Sequence, residues 1–180
     1  MLGSLRAPSR MERPLDPARL GDHLDRLYRA AWALCGSRAD AEDLVQETYA
    51  RVLARPRLLR NDDDLGYLLR ALRNTFLNTM RRESHRLRPS ALPDQIDSVV
   101  DPHSRDPHAV LEAAELYAAV AELPDAFRDV LVAVDVAGLS YKETSRALRI
   151  REGTVMSRLY RARQQIVQRF EGPNGISVAP

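Results

Sequence analysis

From position 20 to position 80 the apolar residues recur at helical spacing in three blocks, and none of the blocks alternates with the period of two that a half-buried strand requires. The first, residues 20–34, aligns Leu24, Leu27, Tyr28, Ala31 and Leu34 and stops at Gly36, a residue that tolerates the left-handed conformation of a helix cap. The second follows Ser37, whose spacing to Asp40 fits a capping box, aligns Leu44, Val45, Thr48 and Val52, and is closed by Pro56. The third follows the acids at 62–64, well placed for a helix dipole, and stacks Leu65, Leu68, Leu72, Phe76 and Met80 opposite Arg70, Arg73, Asn74 and Arg81. Between 83 and 107 the periodicity fails, and Pro89, Pro93, Pro102 and Pro107 stand among Ser, Asp and His residues. It resumes with Val110, Ala114, Tyr117 and Val120, then after Leu123-Pro124 with Phe127, Val130, Leu131 and Val134. The pattern predicts an all-α protein of two small helical domains, at 18–88 and 108–171, that move separately on a flexible linker at 89–107 until a partner fixes them. Disordered tails are expected at 1–17 and 172–180, with Met11 a conceivable alternative start.

The last block has its own punctuation. Ser140 precedes Glu143 by three, a capping box for a short helix. A turn at 149–151 follows, and then Val155, Leu159, Ala162 and Ile166 share one face of a longer helix. That register turns Ser157, Arg158, Arg161 and Gln165 outward. Two helices joined in this way read as a helix-turn-helix, whose second helix enters the major groove of DNA. Between Ser140 and Phe170 there are eight Lys or Arg residues against two acids, which suits a polyanion.

Composition narrows the field. With 44% hydrophobic residues in 180 the chain can pack a core. The absence of a long apolar run or an apolar signal core gives no indication of export, and a cytoplasmic location is expected. The net charge of +2 conceals a segregation: arginines gather at 51–88 and 146–169, acids at 40–47 and 94–125, which suggests a polyanion together with a protein partner. Cys35 is the single cysteine, so neither an internal disulfide nor a cysteine-based zinc site is available. His23, His85, His103 and His108 are scattered, and no phosphate loop, dinucleotide fingerprint or nucleophile elbow appears. No enzyme activity, metal or cofactor is expected.

Residues 40–49 (DAEDLVQETY), residues 67–74 (YLLRALRN) with Arg81-Arg82, and the stretch 123–163 together resemble a bacterial extracytoplasmic-function sigma factor. The resemblance implies that Asp43, Gln46 and Glu47 meet the beta-prime clamp helices of core RNA polymerase, and that the C-terminal domain meets the beta flap. It implies that Tyr67, Arg70, Arg73, Asn74, Asn78, Arg81 and Arg82 face the minus-ten promoter element, with 75–88 as the loop that selects a flipped base. Region four would offer Arg151, Glu152, Thr154, Ser157, Arg158 and Arg161 to the minus-thirty-five element. Aromatic, amide and arginine groups suit bases that have left the stack, and arginines also hold phosphates with strong salt dependence. An anti-sigma factor is a further partner of this class, and the free chain is expected to be a monomer that joins the nucleoid within holoenzyme. Three departures stand out: Arg149, Arg151 and Met156 replace the glycine, proline and lysine common in relatives. A left-handed Arg149 would carry strain of about 1–2 kcal/mol. The competing reading is a free-standing helix-turn-helix regulator that binds duplex operators as a dimer; a third is an adaptor without salt-sensitive DNA affinity.

Overall fold

The computed structural model describes residues 13–55, 58–59, 63–85 and 107–171. Two 3-10 turns, Pro17–Arg19 and Gly21–His23, lead into α1 (Leu24–Cys35). It ends because Gly36 takes φ 79° and returns its N–H to the Trp32 carbonyl at 2.7 Å. Ser37 then starts α2 (Arg38–Ala54), its hydroxyl accepting from the Asp40 N–H at 3.2 Å and donating to Asp40 Oδ2 at 2.7 Å. Asp63 accepts from the Gly66 N–H at 3.0 Å and starts α3 (Asp64–His85). The C-terminal half holds α4 (Pro107–Ala121), α5 (Asp125–Leu131), α6 (Tyr141–Leu148) and α7 (Glu152–Glu171). A two-residue antiparallel pair, Arg13–Pro14 with Leu58–Leu59, is the one β feature among the described residues of this all-α, two-module fold.

The helix stripes are largely those the pattern predicts. Leu44, Val45, Thr48 and Val52 of α2 are buried, as are Leu65, Leu68, Leu72 and Phe76 of α3. Leu24 and Met80 are not; they are 45% and 42% exposed. The 3-10 turns bring Leu15 and Leu20 into the core at the end of α1 where Leu24 was expected, and Met80 lies one turn past the last buried residue of α3, Phe76. The segment expected as a base-selecting loop, 75–88, is helical as far as His85. No glycine or proline interrupts it there, and Thr75 is itself buried. Of the expected linker only Pro107 is described, and it opens α4.

α1 departs from the amphipathic expectation in a more instructive way. Ala30, Ala31, Trp32, Ala33 and Leu34 are all buried, and five consecutive residues cannot share one face of a helix. The second face is covered by the C-terminal half: α1 packs on α2 and α3, and also on α4 and on residues 132–136, which follow α5. Trp32 meets the Tyr117 ring with centroids 4.7 Å apart at 57°. The buried residues of both halves form one continuous apolar cluster.

α5 does not stop cleanly. It runs into a π-helical turn, Val132–Val136, in which the Ala137 N–H reaches the Val132 carbonyl at 2.8 Å. Gly138 closes it at φ 72°. The positive φ favours glycine there; a Cβ would also lie 2.9 Å from Nη2 of Arg26, a residue of α1, so the tip of that side chain would have to shift.

Candidate nucleic-acid interfaces

The helix-turn-helix is held by local hydrogen bonds. At the start of α6 the Ser140 hydroxyl accepts from the Glu143 N–H at 3.3 Å, while Glu143 Oε2 accepts from the Ser140 N–H at 2.8 Å, a complete capping box. The Ser140 hydroxyl, then its N–H, holds the Glu143 carboxyl below its ordinary range. Arg149 caps the other end in the left-handed conformation, φ 57° and ψ 44°, as the turn demands. The Ile150 N–H reaches the Ser145 carbonyl at 3.1 Å, and the Ser145 hydroxyl donates to the Ile150 carbonyl at 2.6 Å. The Arg151 carbonyl then accepts from Thr154 and Val155 at 2.9 and 3.0 Å, which starts α7.

Val155, Leu159 and Ala162 bury one stripe of α7, so the opposite face is fixed by the helical period. Gly153, Ser157, Tyr160 and Gln164 lie on it. Arg151, Glu152 and Arg161 are exposed towards its edges, and Thr154 and Arg158 are half-buried on the flank. Two exposed residues stand outside the expected contacts: Met156 at 55%, noted in sequence only as a departure, and Tyr160 at 64%. Large apolar side chains outside the buried stripe were the available signal. The Tyr160 hydroxyl accepts from Gln164 Nε2 at 2.9 Å. Arg163 is engaged elsewhere, donating to both Asp135 carboxylate oxygens at 2.9 and 2.7 Å, and so ties α7 to the π-helical turn.

In the N-terminal half, Asp43 and Gln46 are exposed on α2, while Glu47 is half-buried and accepts from Arg51 Nη2 at 2.5 Å. On α3, Asn74, Asn78, Arg81 and Arg82 share an exposed stretch, and Tyr67 packs partly against the core. Arg70 and Arg73 instead point at the C-terminal half. Arg70 Nε donates to the Ala147 carbonyl and Nη2 to the Arg146 carbonyl, both at 2.9 Å, at the end of α6. Arg73 Nε donates to Asp129 Oδ2 at 2.5 Å. Asp129 is 8% exposed; burial pushes its carboxyl up, and the bond from Arg73, with the charges of Arg73 and Arg128, opposes that rise. Arg26 of α1 adds bonds to the Ala137 and Gly138 carbonyls at 2.7 and 3.0 Å, and the Arg128 guanidinium lies 5.1 Å from the centroid of the Phe76 ring. A cavity of about 10 Å³ among Arg70, Arg73, Asp129, Leu34 and Leu69 is the residual space there.

Among the described residues no cluster of His, Cys, Asp or Glu is arranged to hold a metal, and no helix is long and apolar enough to cross a membrane.

Residues 20–86 match the family Sigma-70 region 2 and residues 113–166 match Sigma-70, region 4. The two helical modules are therefore those of a sigma-70-type transcription initiation factor, in chain order. Over 147 residues the chain is 42% identical to the ECF RNA polymerase sigma factor SigE of Mycolicibacterium smegmatis, a match covering 80% of this chain and 57% of that one. It is 33% identical over 139 residues to the ECF RNA polymerase sigma factor EcfG of Rhodopseudomonas palustris, covering 76% of this chain and 74% of that one. The chain belongs to the ECF RNA polymerase sigma factors. It spans little more than half the length of SigE, and about three quarters of EcfG. Its fold is similar to that of the sigma factor RpoE in complex with the anti-sigma factor NepR from Bartonella quintana, with a TM-score of 0.63 at 20% identity, covering 87% of this chain and 97% of that one. It is also similar to CnrH in complex with the cytosolic domain of CnrY, with a TM-score of 0.59 at 21% identity over 87% and 88% of the two chains.

Proposed function

We propose that this chain binds core RNA polymerase, recognises a minus-thirty-five element through α7 and a minus-ten element through α3, and directs promoter melting and transcription initiation. The observation that carries this is the pairing of two sigma modules with an outward face on α7 that is polar, flanked by arginines and set by a hydrogen-bonded turn. Arg151, Glu152, Thr154, Ser157, Arg158 and Arg161 remain the candidates for minus-thirty-five contact. Met156 and Tyr160 join them, because apolar groups in a major groove distinguish thymine by its methyl group. Tyr67, Arg70, Arg73, Asn74, Asn78, Arg81 and Arg82 are the candidates for the minus-ten strand, and Asp43, Gln46 and Glu47 for the beta-prime clamp helices. The beta flap would dock on the C-terminal module.

The catalysis belongs to the polymerase, and this chain supplies start-site choice. An anti-sigma factor is a proposed partner by analogy with the structural neighbour RpoE, which is in complex with the anti-sigma factor NepR. We place the free chain in the cytoplasm as a monomer, and at the nucleoid within holoenzyme. Reconstituted transcription tests the reading: purified chain with sigma-free core polymerase on a promoter library should initiate at specific sites, and an Asp43→Ala, Glu47→Ala double variant should lose that initiation. Duplex binding without core binding or initiation would reject it in favour of an operator-binding regulator.

A further inference from the structure

The two flanks of α7 differ in chemistry. Counted from the buried stripe of Val155, Leu159 and Ala162, the helical period carries Thr154, Arg158 and Arg161 roughly 65–130° round the axis in one direction. It carries Glu152, Met156 and Tyr160 roughly 50–130° round in the other. These last three are spaced by four and are therefore neighbours along the helix surface. Glu152 is exposed, and so are Met156 and Tyr160. The cation on that side, Arg163, is drawn off by Asp135, to both of whose carboxylate oxygens it donates. One flank of the outward face is thus cationic, and the other is acidic, apolar and aromatic.

Only the first flank suits a phosphate backbone. A carboxylate repels a phosphodiester, and a thioether offers it no donor. Base edges are another matter. In the major groove cytosine presents an amino group from which a carboxylate accepts, and thymine a 5-methyl group that an apolar side chain covers. Guanine presents two acceptors there, which Glu152 would oppose. The Tyr160 hydroxyl accepts from Gln164 Nε2 at 2.9 Å, a bond that steadies the ring beside this row and leaves the hydroxyl proton free to be donated. The methionine at 156, standing in place of the lysine common in relatives, removes a phosphate donor from this flank and sets a flexible apolar group there.

We propose that the row Glu152, Met156 and Tyr160 reads pyrimidines of the upstream duplex by their major-groove edges: Met156 covers a thymine 5-methyl group and Glu152 accepts from a cytosine amino group. Arg158 and Arg161, on the other flank, hold phosphates and set no such choice. Tyr160 extends the apolar surface by one turn. Met156 is then the residue that gives this chain its preference for thymine. This rests on the assignment of α7 to the minus-thirty-five element.

The test uses the full chain and two readouts. Initiation with core polymerase on a promoter library reports the sigma reading itself and yields the selected upstream element. Competition binding of the holoenzyme then compares that duplex with versions in which each thymine, on either strand, is replaced by deoxyuridine, which lacks only the methyl group. At one position the wild type should lose about fourfold in affinity, the worth of one buried methyl-sized group, and Met156→Ala should lose nothing there. Met156 is exposed, so the variant keeps its fold. Met156→Lys should abolish the same discrimination and steepen the dependence of log affinity on log salt by about one unit, the mark of one added phosphate contact. An element of G·C pairs alone, thymine and deoxyuridine bound equally, or a loss that persists in Met156→Ala overturns the proposal and leaves the sigma reading standing. Absence of initiation overturns the sigma reading by itself, and duplexes selected by the chain alone then carry the same comparison with the same two outcomes. A chain that selects no duplex in either setting overturns both.

Discussion

α3 and α7 have the same sequence design, a buried stripe opposite arginines, yet they present it differently. On α7 the outward face is open, with Ser157, Arg161 and Tyr160 exposed and the cations that form ion pairs, Arg163 and Arg169, bonded within their own half to Asp135 and Glu122. On α3 the face divides. Asn74, Asn78, Arg81 and Arg82 are exposed, whereas Arg70 and Arg73 are spent on the other half of the chain. A basic helix face is thus an interface of either kind, and which kind is decided by what packs beside it.

The largest effect that can break this comparison concerns the core. If the two modules share one cluster, Leu159→Ala in α7 and Leu72→Ala in α3 should each cost about 2–5 kcal/mol and shift a single cooperative urea transition. Two transitions, each moved by only one of the variants, would mean the halves melt independently and the contrast between α3 and α7 is not a property of the free chain.

A second test sharpens the contrast in DNA binding. Tyr160→Ala and Arg161→Ala should each weaken binding to a minus-thirty-five duplex by about 1–3 kcal/mol where they touch base edges. Arg73→Ala should leave that duplex affinity unchanged in fluorescence anisotropy, because its side chain serves the other module. A loss with Arg73→Ala equal to that with Arg161→Ala would erase the distinction between the two faces.

The next effect is smaller and opposite in sign. Arg149 sits at φ 57° with a β-carbon that this conformation disfavours. Arg149→Gly should raise thermal stability by about 1 kcal/mol, measured by calorimetry, and lower duplex affinity if the guanidinium helps hold phosphate. Stabilisation with unchanged affinity would assign Arg149 no part in the α7 interface.

What the sequence made legible follows from the range of the interactions involved. The caps at Gly36, Ser37 and Ser140 and the stripe on α7 are set by residues within four positions, and each stands where the pattern places it; the left-handed Arg149 answers to the resemblance instead. The complete burial of residues 30–34, the commitments of Arg26, Arg70 and Arg73, and the burial of Asp129 depend on partners roughly 55–110 positions away, which periodicity does not encode. Met156 and Tyr160 belong to an intermediate case: the helical period places both off the buried stripe of α7, but charge patterning carries no signal for uncharged side chains there.

The smallest expected effect tests the local side of that division. Ser140→Ala removes the hydroxyl that accepts from the Glu143 N–H and donates to its carboxylate, and should cost about 1 kcal/mol. Glu143 titrates below its ordinary range in the folded chain because of those bonds, so its contribution is present above the unfolded pKa and is lost as pH falls through the folded one. Glu143 is only partly buried, so screening by solvent keeps this contribution small. The stability difference between wild type and Glu143→Gln should therefore shrink as urea titrations move from neutral pH into the acid range. A difference that stayed constant would mean that the glutamine amide caps α6 as well as the carboxylate does. In that case the start of the helix-turn-helix would be fixed by hydrogen-bond geometry and not by charge.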